Sequence, residues 1–131
     1  MAKGIKDFVA EARARIREIS ADELRERRER NEDFLLIDVR EAAEYERRHL
    51  PGAVLIPRGT IEGAADPAYR HRVDVLCEAR NRSVVLYCQT GGRSALAADT
   101  LMQMGFQDVT SLAGGIDLWL SEGYETIRGS T

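Results

Sequence analysis

Short apolar runs alternate with helical segments along this chain of 131 residues. The runs are FLLID (34–38), AVLI (53–56), SVVLY (83–87) and DVTSL (108–112). Several of them are apolar at successive positions, so a strand formed there must be covered on both of its faces. Helices supply that cover when they connect parallel strands. The alternation therefore predicts an α/β fold with a mainly parallel sheet flanked by helices.

The chain begins with a segment that has the periodicity of an amphipathic helix. Its apolar residues form one stripe, at Ile5, Phe8, Val9, Ala12 and Ile16. We assign residues 1–17 to an N-terminal amphipathic helical extension and residues 18–131 to the main domain. We expect the stripe to pack on the domain, and an interface in a homodimer is the alternative.

Helix signals also occur between the predicted strands. Ser20 and Glu23 have the spacing of a capping box at the start of a helix. Asp66 and Pro67 are typical of a helix start, and the apolar residues after them share one helical face. These residues are Tyr69, Val73, Leu76 and Cys77. Residues 57–66 contain two glycines and a proline and are predicted to be a connection with room for one helical turn.

Composition excludes several classes of function. Charged residues make up 31% of the chain but nearly cancel, with a net charge of −3, so neither a nucleic acid nor a membrane surface is an expected partner. The two cysteines do not form a disulfide framework, which favours a reducing, cytoplasmic location. Two cysteines and two histidines without close spacing also argue against a structural zinc site.

Cys88 stands where a strand meets a helix. The loop that follows it, QTGGR (89–93), contains two glycines that let the backbone curl and bring N–H groups together. Arg93 and the start of the helix near Ser94 add positive charge, which favours the thiolate. Burial as a small apolar side chain is the alternative for Cys88, and it is the expected role of Cys77. The loop therefore predicts a nucleophile that also binds anions.

Two stretches of the sequence carry a resemblance to a known family. CQTGGRSALAADTLMQMGFQDVTSLAGGIDLW resembles the second half of a single-domain rhodanese, a sulfurtransferase, and FLLIDVREAAEYERRHLPGAVLIPRG resembles the first half. The resemblance covers most of residues 34–119 and implies a five-stranded, mainly parallel sheet with helices on both faces. It also implies that Cys88 takes a sulfur atom from thiosulfate or a similar anion, forms a persulfide, and passes the sulfur to a thiol, to cyanide or to a protein cysteine. No metal or organic cofactor is implied.

The resemblance assigns roles to individual residues. Cys88 is the nucleophile, and Arg93 stabilises the anions. Backbone N–H groups of the loop hold the persulfide, and side chains at its rim contact the donor. The residues expected to bind substrate are Gln89, Thr90, Gly91, Gly92 and Ser94, with Arg58 as a further candidate. Asp38, Arg40 and His49 match family motifs and are expected to support the site structurally.

Two other functions use similar residues. A cysteine phosphatase or arsenate reductase of the same fold has five residues between its cysteine and arginine, whereas four residues separate Cys88 from Arg93. The shorter loop favours a sulfur atom over a tetrahedral oxyanion. A persulfide carrier or binding module that delivers sulfur to one partner protein is the second alternative. Either a monomer or a homodimer is compatible with the sequence.

Overall fold

The computed structural model describes residues 2–129. In chain order, the helices and strands are α1 (Ile5–Arg15), β1 (Arg17–Ile19), α2 (Ala21–Glu29), β2 (Leu35–Asp38), α3 (Ala42–Arg47), β3 (Val54–Leu55), a 3₁₀ turn (Arg58–Thr60), α4 (Ile61–Ala65), α5 (Asp74–Cys77), β4 (Ser83–Tyr87), α6 (Gly92–Gln103), β5 (Asp108–Leu112) and α7 (Gly115–Ser121). Within this part of the chain, no helix is long and apolar enough to cross a membrane.

The five strands form one sheet in the order β1-β5-β4-β2-β3, and every neighbouring pair is parallel. This confirms the predicted α/β class and the mainly parallel sheet. The central strand β4 shows why both faces need cover. Val84 and Leu86 belong to one apolar cluster, and Val85 and Tyr87 belong to the cluster on the opposite face.

The edge strand β1 has no counterpart among the four apolar runs. It pairs with β5, and only Ile19 of its three residues is buried. A three-residue strand with one buried side chain has no recognisable apolar pattern, so backbone pairing with β5 defines it. The predicted boundary between residues 17 and 18 falls inside this strand.

The helix predicted from Asp66 is wrong over most of its length. The Asp66 side chain accepts a hydrogen bond from Ala68 N at 2.9 Å, which closes a turn instead of capping a helix. Within the stretch predicted to be helical, only α5 is an α-helix, and Tyr69 is 47% exposed. Residues 57–66, predicted to be a connection, contain more helix than expected, since they form the 3₁₀ turn and α4. Helix α4 buries Ile61 and two alanines, and this burial stabilises it.

Helix α1 packs against α6. Ala12 is 1% exposed at the contact, and Arg15 pairs with the largely buried Asp99 through two nitrogens at 2.9 and 2.7 Å. The start of the helix is more open, since Ile5 is 67% exposed and Phe8 is 49% exposed. The apolar stripe therefore packs within the chain from Val9 onward, and its first residues stay exposed.

Candidate active site

Cys88 follows the last residue of β4 and is 1% exposed. Its Sγ accepts a hydrogen bond from Gly91 N at 3.1 Å and lies 3.4 Å from Ser94 N, at the start of α6. Gly91 has a φ of +109°, a conformation that side-chain-bearing residues rarely adopt, and this lets the loop turn its N–H inward. The sulfur therefore lies in a small cradle of backbone donors that would stabilise negative charge on it.

Two buried serines extend this polar cradle into the domain. Ser94 Oγ lies 3.5 Å from the Cys88 Sγ and 2.8 Å from Ser111 Oγ on the neighbouring strand β5. Both serines are 0% exposed. Ser111 was not among the predicted site residues, because nothing in its local sequence separates it from other polar residues of a strand.

The turn before α7 holds the cysteine loop from the other side. Ile116 N donates to Cys88 O at 2.9 Å, and Asp117 N donates to Gln89 O at 3.1 Å. Gly115 makes this close approach possible. A Cβ at that position would lie 2.5 Å from Cys88 O and closer still to Gln89 O. Gly115 is thus needed to bring the backbone of α7 against the loop.

Arg93 is held by a carboxylate instead of by the cysteine. Its two terminal nitrogens donate to the two Glu44 oxygens at 2.8 and 3.1 Å. The hydrogen bond from Arg93 lowers the pKa of Glu44 to about 2, against partial burial that would raise it. The same contact raises the pKa of Arg93. Glu44 was not predicted as a site residue, since 49 positions separate it from Arg93.

Asp38 and Arg40 form a buried brace below the site. Arg40 donates through its backbone N–H and its side chain to Asp38, and it also donates to Arg48 O at 2.6 Å. Tyr87 donates its hydroxyl to Asp38 at 2.6 Å and accepts from Leu50 N at 3.0 Å. Burial and the nearby Asp38 charge raise the pKa of Tyr87 far above its ordinary value. The contacts fix the chain between β2 and α3.

His49 and Arg58 lie outside the cradle. His49 is fully buried, stacks on Tyr45 with 3.7 Å between ring centroids, and has its Nδ1 2.8 Å from Tyr45 O. Arg58 donates to Glu62 at 3.2 Å and lies 3.4 Å from Thr100, well along α6 from the cysteine loop. These contacts favour a structural role for His49. They do not favour Arg58 as a residue that contacts the sulfur-donating substrate.

Two grooves flank the cysteine loop. The first, about 610 Å³ in volume, lies beside Gln89 and is lined by charged residues that include Arg40, Glu44 and Arg128. The second, about 570 Å³, lies between α1 and the loop residues Thr90 and Gly92. Residues 2–129 contain no group of three or more His, Cys, Asp or Glu side chains that could hold a metal ion.

Comparison with known proteins identifies the family. The protein-family model of the rhodanese-like domain matches residues 20–122 of the sequence. A sulfurtransferase of Allochromatium vinosum is 34% identical over 82% of this chain and 92% of its own length. The "Putative sulfur carrier protein YrkF" of Bacillus subtilis is 35% identical over 79% of this chain, which spans only about half (51%) of that relative.

A solved structure extends the likeness to nearly the whole chain. It comes from Rhodopseudomonas palustris and is described as a protein of unknown function and possible tyrosine phosphatase. It is 29% identical, has a TM-score of 0.90, and covers 97% of this chain and 96% of its own. The alignment omits at most a few residues, so it reaches into the N-terminal extension. With its five-stranded parallel sheet, the cysteine loop between β4 and α6 and the family match over residues 20–122, this chain belongs to the rhodanese-like family.

Proposed function

We propose that this protein is a sulfurtransferase that carries a sulfane sulfur on Cys88. The observation that carries the proposal is the cradle around the Cys88 sulfur, with Gly91 N at 3.1 Å and Ser94 N at 3.4 Å. N–H groups that face a sulfur at this range stabilise a thiolate and then the anionic terminal sulfur of a persulfide. A buried apolar cysteine would need neither donor.

The reaction has two displacement steps. The Cys88 thiolate attacks the outer sulfur of thiosulfate, so that a Cys–S–S bond forms while the S–S bond of the donor breaks and sulfite leaves with its electron pair. An acceptor thiolate or cyanide then attacks the outer sulfur of the persulfide and regenerates the Cys88 thiolate. Both steps exchange one sulfur bond for another and need no external oxidant or reductant.

Residues around Cys88 support these two steps by binding the transferred sulfur, by stabilising the donor or by holding the loops in place. The N–H groups between Gln89 and Ser94 hold the transferred sulfur, and Arg93, oriented by Glu44, stabilises the anionic donor as it approaches. Asp38 and Arg40 keep the neighbouring loop in place. The free state of both cysteines supports a reducing, cytoplasmic setting.

The names of the relatives agree with sulfur transfer in general. One relative is a sulfurtransferase and the other is named as a sulfur carrier. A carrier that passes sulfur only to a partner protein is therefore the second candidate for this chain. Both candidates share the Cys88 persulfide and differ in the acceptor.

A phosphatase activity is a weaker candidate, although the Rhodopseudomonas palustris structure is described as a possible tyrosine phosphatase. Only four residues separate Cys88 from Arg93, one fewer than in the cysteine phosphatases of this fold, so the loop is smaller. A smaller loop has less room for a tetrahedral phosphate than for one sulfur atom. The arrangement favours a single sulfur atom in the cradle.

Turnover assays with matched variants test the proposal. We expect wild type and Cys77→Ala to convert thiosulfate and cyanide to thiocyanate and sulfite, and Cys88→Ala to be inactive. An aryl phosphate should be hydrolysed far more slowly by all three proteins. A persulfide that forms without thiocyanate would favour the carrier, and aryl phosphate turnover equal to that of thiosulfate would refute sulfur transfer as the main activity.

A further inference from the structure

Helix α1 forms one wall of the groove beside the cysteine loop. This wall presents Ile5, Val9 and Ala10 as apolar residues and Lys6 and Arg13 as cations, opposite Thr90 and Gly92 of the loop. The family model begins at residue 20, so the wall comes from outside the matched domain. The groove therefore adds a feature to the site that the cysteine loop alone does not have.

The wall has a fixed position. Arg15 is joined to Asp99 on α6 by two short hydrogen bonds, and Ala12 is buried in the same contact. Val9 Cγ2 lies 3.6 Å from the place that a Cβ on Gly92 would occupy, so the helix touches the loop directly. A ligand that enters the groove meets a preformed surface.

Arg13 brings a positive charge close to the reactive sulfur. Its Nη2 lies 3.1 Å from the place of a Cβ on Gly91, and Gly91 N lies 3.1 Å from the Cys88 Sγ. With standard bond lengths, these contacts place the guanidinium within about 9 Å of the sulfur. The closest approach in its ion pair with Glu18 is from Nε, at 3.4 Å. The terminal nitrogens of Arg13 are thus better placed for a ligand than those of Arg93, which Glu44 occupies.

We propose that this groove binds a low-molecular-weight organic persulfide that carries carboxylate groups, and that Arg13 and Lys6 bind those carboxylates. The inference rests on the proposed sulfur transfer and names its donor. A volume of about 570 Å³ falls in the range of small-molecule sites and exceeds what one inorganic anion fills. The apolar residues Ile5 and Val9 would contact the carbon body of such a donor, a contact that thiosulfate cannot make.

The transfer step is balanced for this donor. The Cys88 thiolate attacks the terminal sulfur of R–S–SH, so that an S–S bond forms between Cys88 and this sulfur. The S–S bond of the donor breaks, and R–S⁻ leaves as a thiolate with the electron pair of that bond. The carboxylates remain bound to α1 during the attack. The groove thus positions the donor and leaves the cradle to stabilise the charge on sulfur.

Donor kinetics with glutathione persulfide as the probe test this inference. Arg13→Gln should raise the KM for this donor about tenfold, since it removes a charge-assisted contact. Glu18→Gln breaks the same ion pair but keeps Arg13, so its KM should equal or fall below that of wild type. Arg17→Gln removes an exposed cation that pairs with Asp108, and it should behave as wild type. Equal increases in Arg13→Gln and Glu18→Gln would assign the effect to the ion pair and overturn the inference.

A selectivity ratio tests the organic part of the donor. Ile5→Ser, at a largely exposed position, should lower the ratio of kcat/KM for glutathione persulfide to kcat/KM for thiosulfate severalfold. An unchanged ratio would overturn the groove as the donor site. Two results together would refute only the role of the groove as donor site: wild type acquires sulfur on Cys88 from thiosulfate, and Arg13→Gln has the same KM for glutathione persulfide as wild type. If no donor adds sulfur to Cys88, the proposed function fails with it.

Discussion

Gly115 gives the sharpest test of how the cysteine loop is held. Its φ of +59° is a left-handed conformation, and an alanine there would meet Cys88 O at 2.5 Å. The strain of a side chain in this conformation costs roughly 1–2 kcal/mol. The forced shift would also weaken the hydrogen bonds from Ile116 N and Asp117 N to the loop, each worth about 1 kcal/mol. We therefore expect Gly115→Ala to lower the free energy of unfolding by about 3–4 kcal/mol.

Two other glycines separate strain from displacement. Gly52 has a φ of +80°, and a Cβ at that position would have no atom within 4 Å, so Gly52→Ala measures strain alone. Gly114 has a φ of +75°, and its Cβ would lie 2.7 Å from Leu118 Cβ, so Gly114→Ala adds a clash within α7 to the strain. Gly52→Ala should lose about 1–2 kcal/mol, and Gly114→Ala should lose more than Gly52→Ala. Only Gly115→Ala pushes directly on the backbone of the loop.

Urea unfolding and sulfur loading together give the readout. Gly115→Ala should be about 2 kcal/mol less stable than Gly52→Ala and should lose persulfide formation, measured under conditions in which it is still folded. Gly52→Ala should load sulfur as wild type does. Equal stability losses and equal loading in Gly115→Ala and Gly52→Ala would refute the conclusion that α7 holds the loop.

Two further predictions concern buried polar contacts. The pKa of Glu44 is lowered from 4.5 to about 2, so its pair with Arg93 stabilises the fold fully above pH 4.5 and loses this effect as the pH falls through 2. Denaturation at a series of pH values should show that the free energy of unfolding of wild type falls by about 2 kcal/mol more than that of Glu44→Gln over this interval. This value is reduced because Arg93 is partly exposed to solvent. Parallel stability curves for the two proteins would contradict the prediction. Tyr87→Phe removes the hydrogen bond that Tyr87 donates to Asp38 and leaves the buried Leu50 N–H without its partner, so it should cost about 2–3 kcal/mol in chemical denaturation. Tyr45→Phe removes only the hydrogen bond to Ala53 O and should cost about 1 kcal/mol. Equal costs would argue against the brace.

Local patterns predicted the sheet and the cysteine loop because their causes are local. The run SVVLY is apolar on both faces, and this alone requires a strand covered on both sides. The two glycines after Cys88 predict a tight turn into α6, because the backbone freedom of glycine is also a local property. The helix expected from Asp66 fails because the same residue types also favour a side-chain turn, and only tertiary contacts decide between the two.

Long-range contacts were beyond the reach of these patterns. The pair between Arg93 and Glu44 joins residues on different helices, and the polar cradle continues to Ser111 through a strand that follows much later in the chain. The periodicity of α1 indicated which face is apolar, but it could not indicate that Arg13 lies against Gly91. Such contacts depend on how whole helices and strands pack against one another, and local sequence patterns do not predict this packing.

Intact-mass spectrometry after incubation with thiosulfate tests the central proposal most directly. We predict that wild type and Cys77→Ala each gain the mass of one sulfur atom, that cyanide removes it, and that Cys88→Ala gains nothing. Peptide mapping should place the added sulfur on Cys88. Wild type that stays at its original mass with every sulfane donor, or a sulfur that maps to Cys77, would contradict the account.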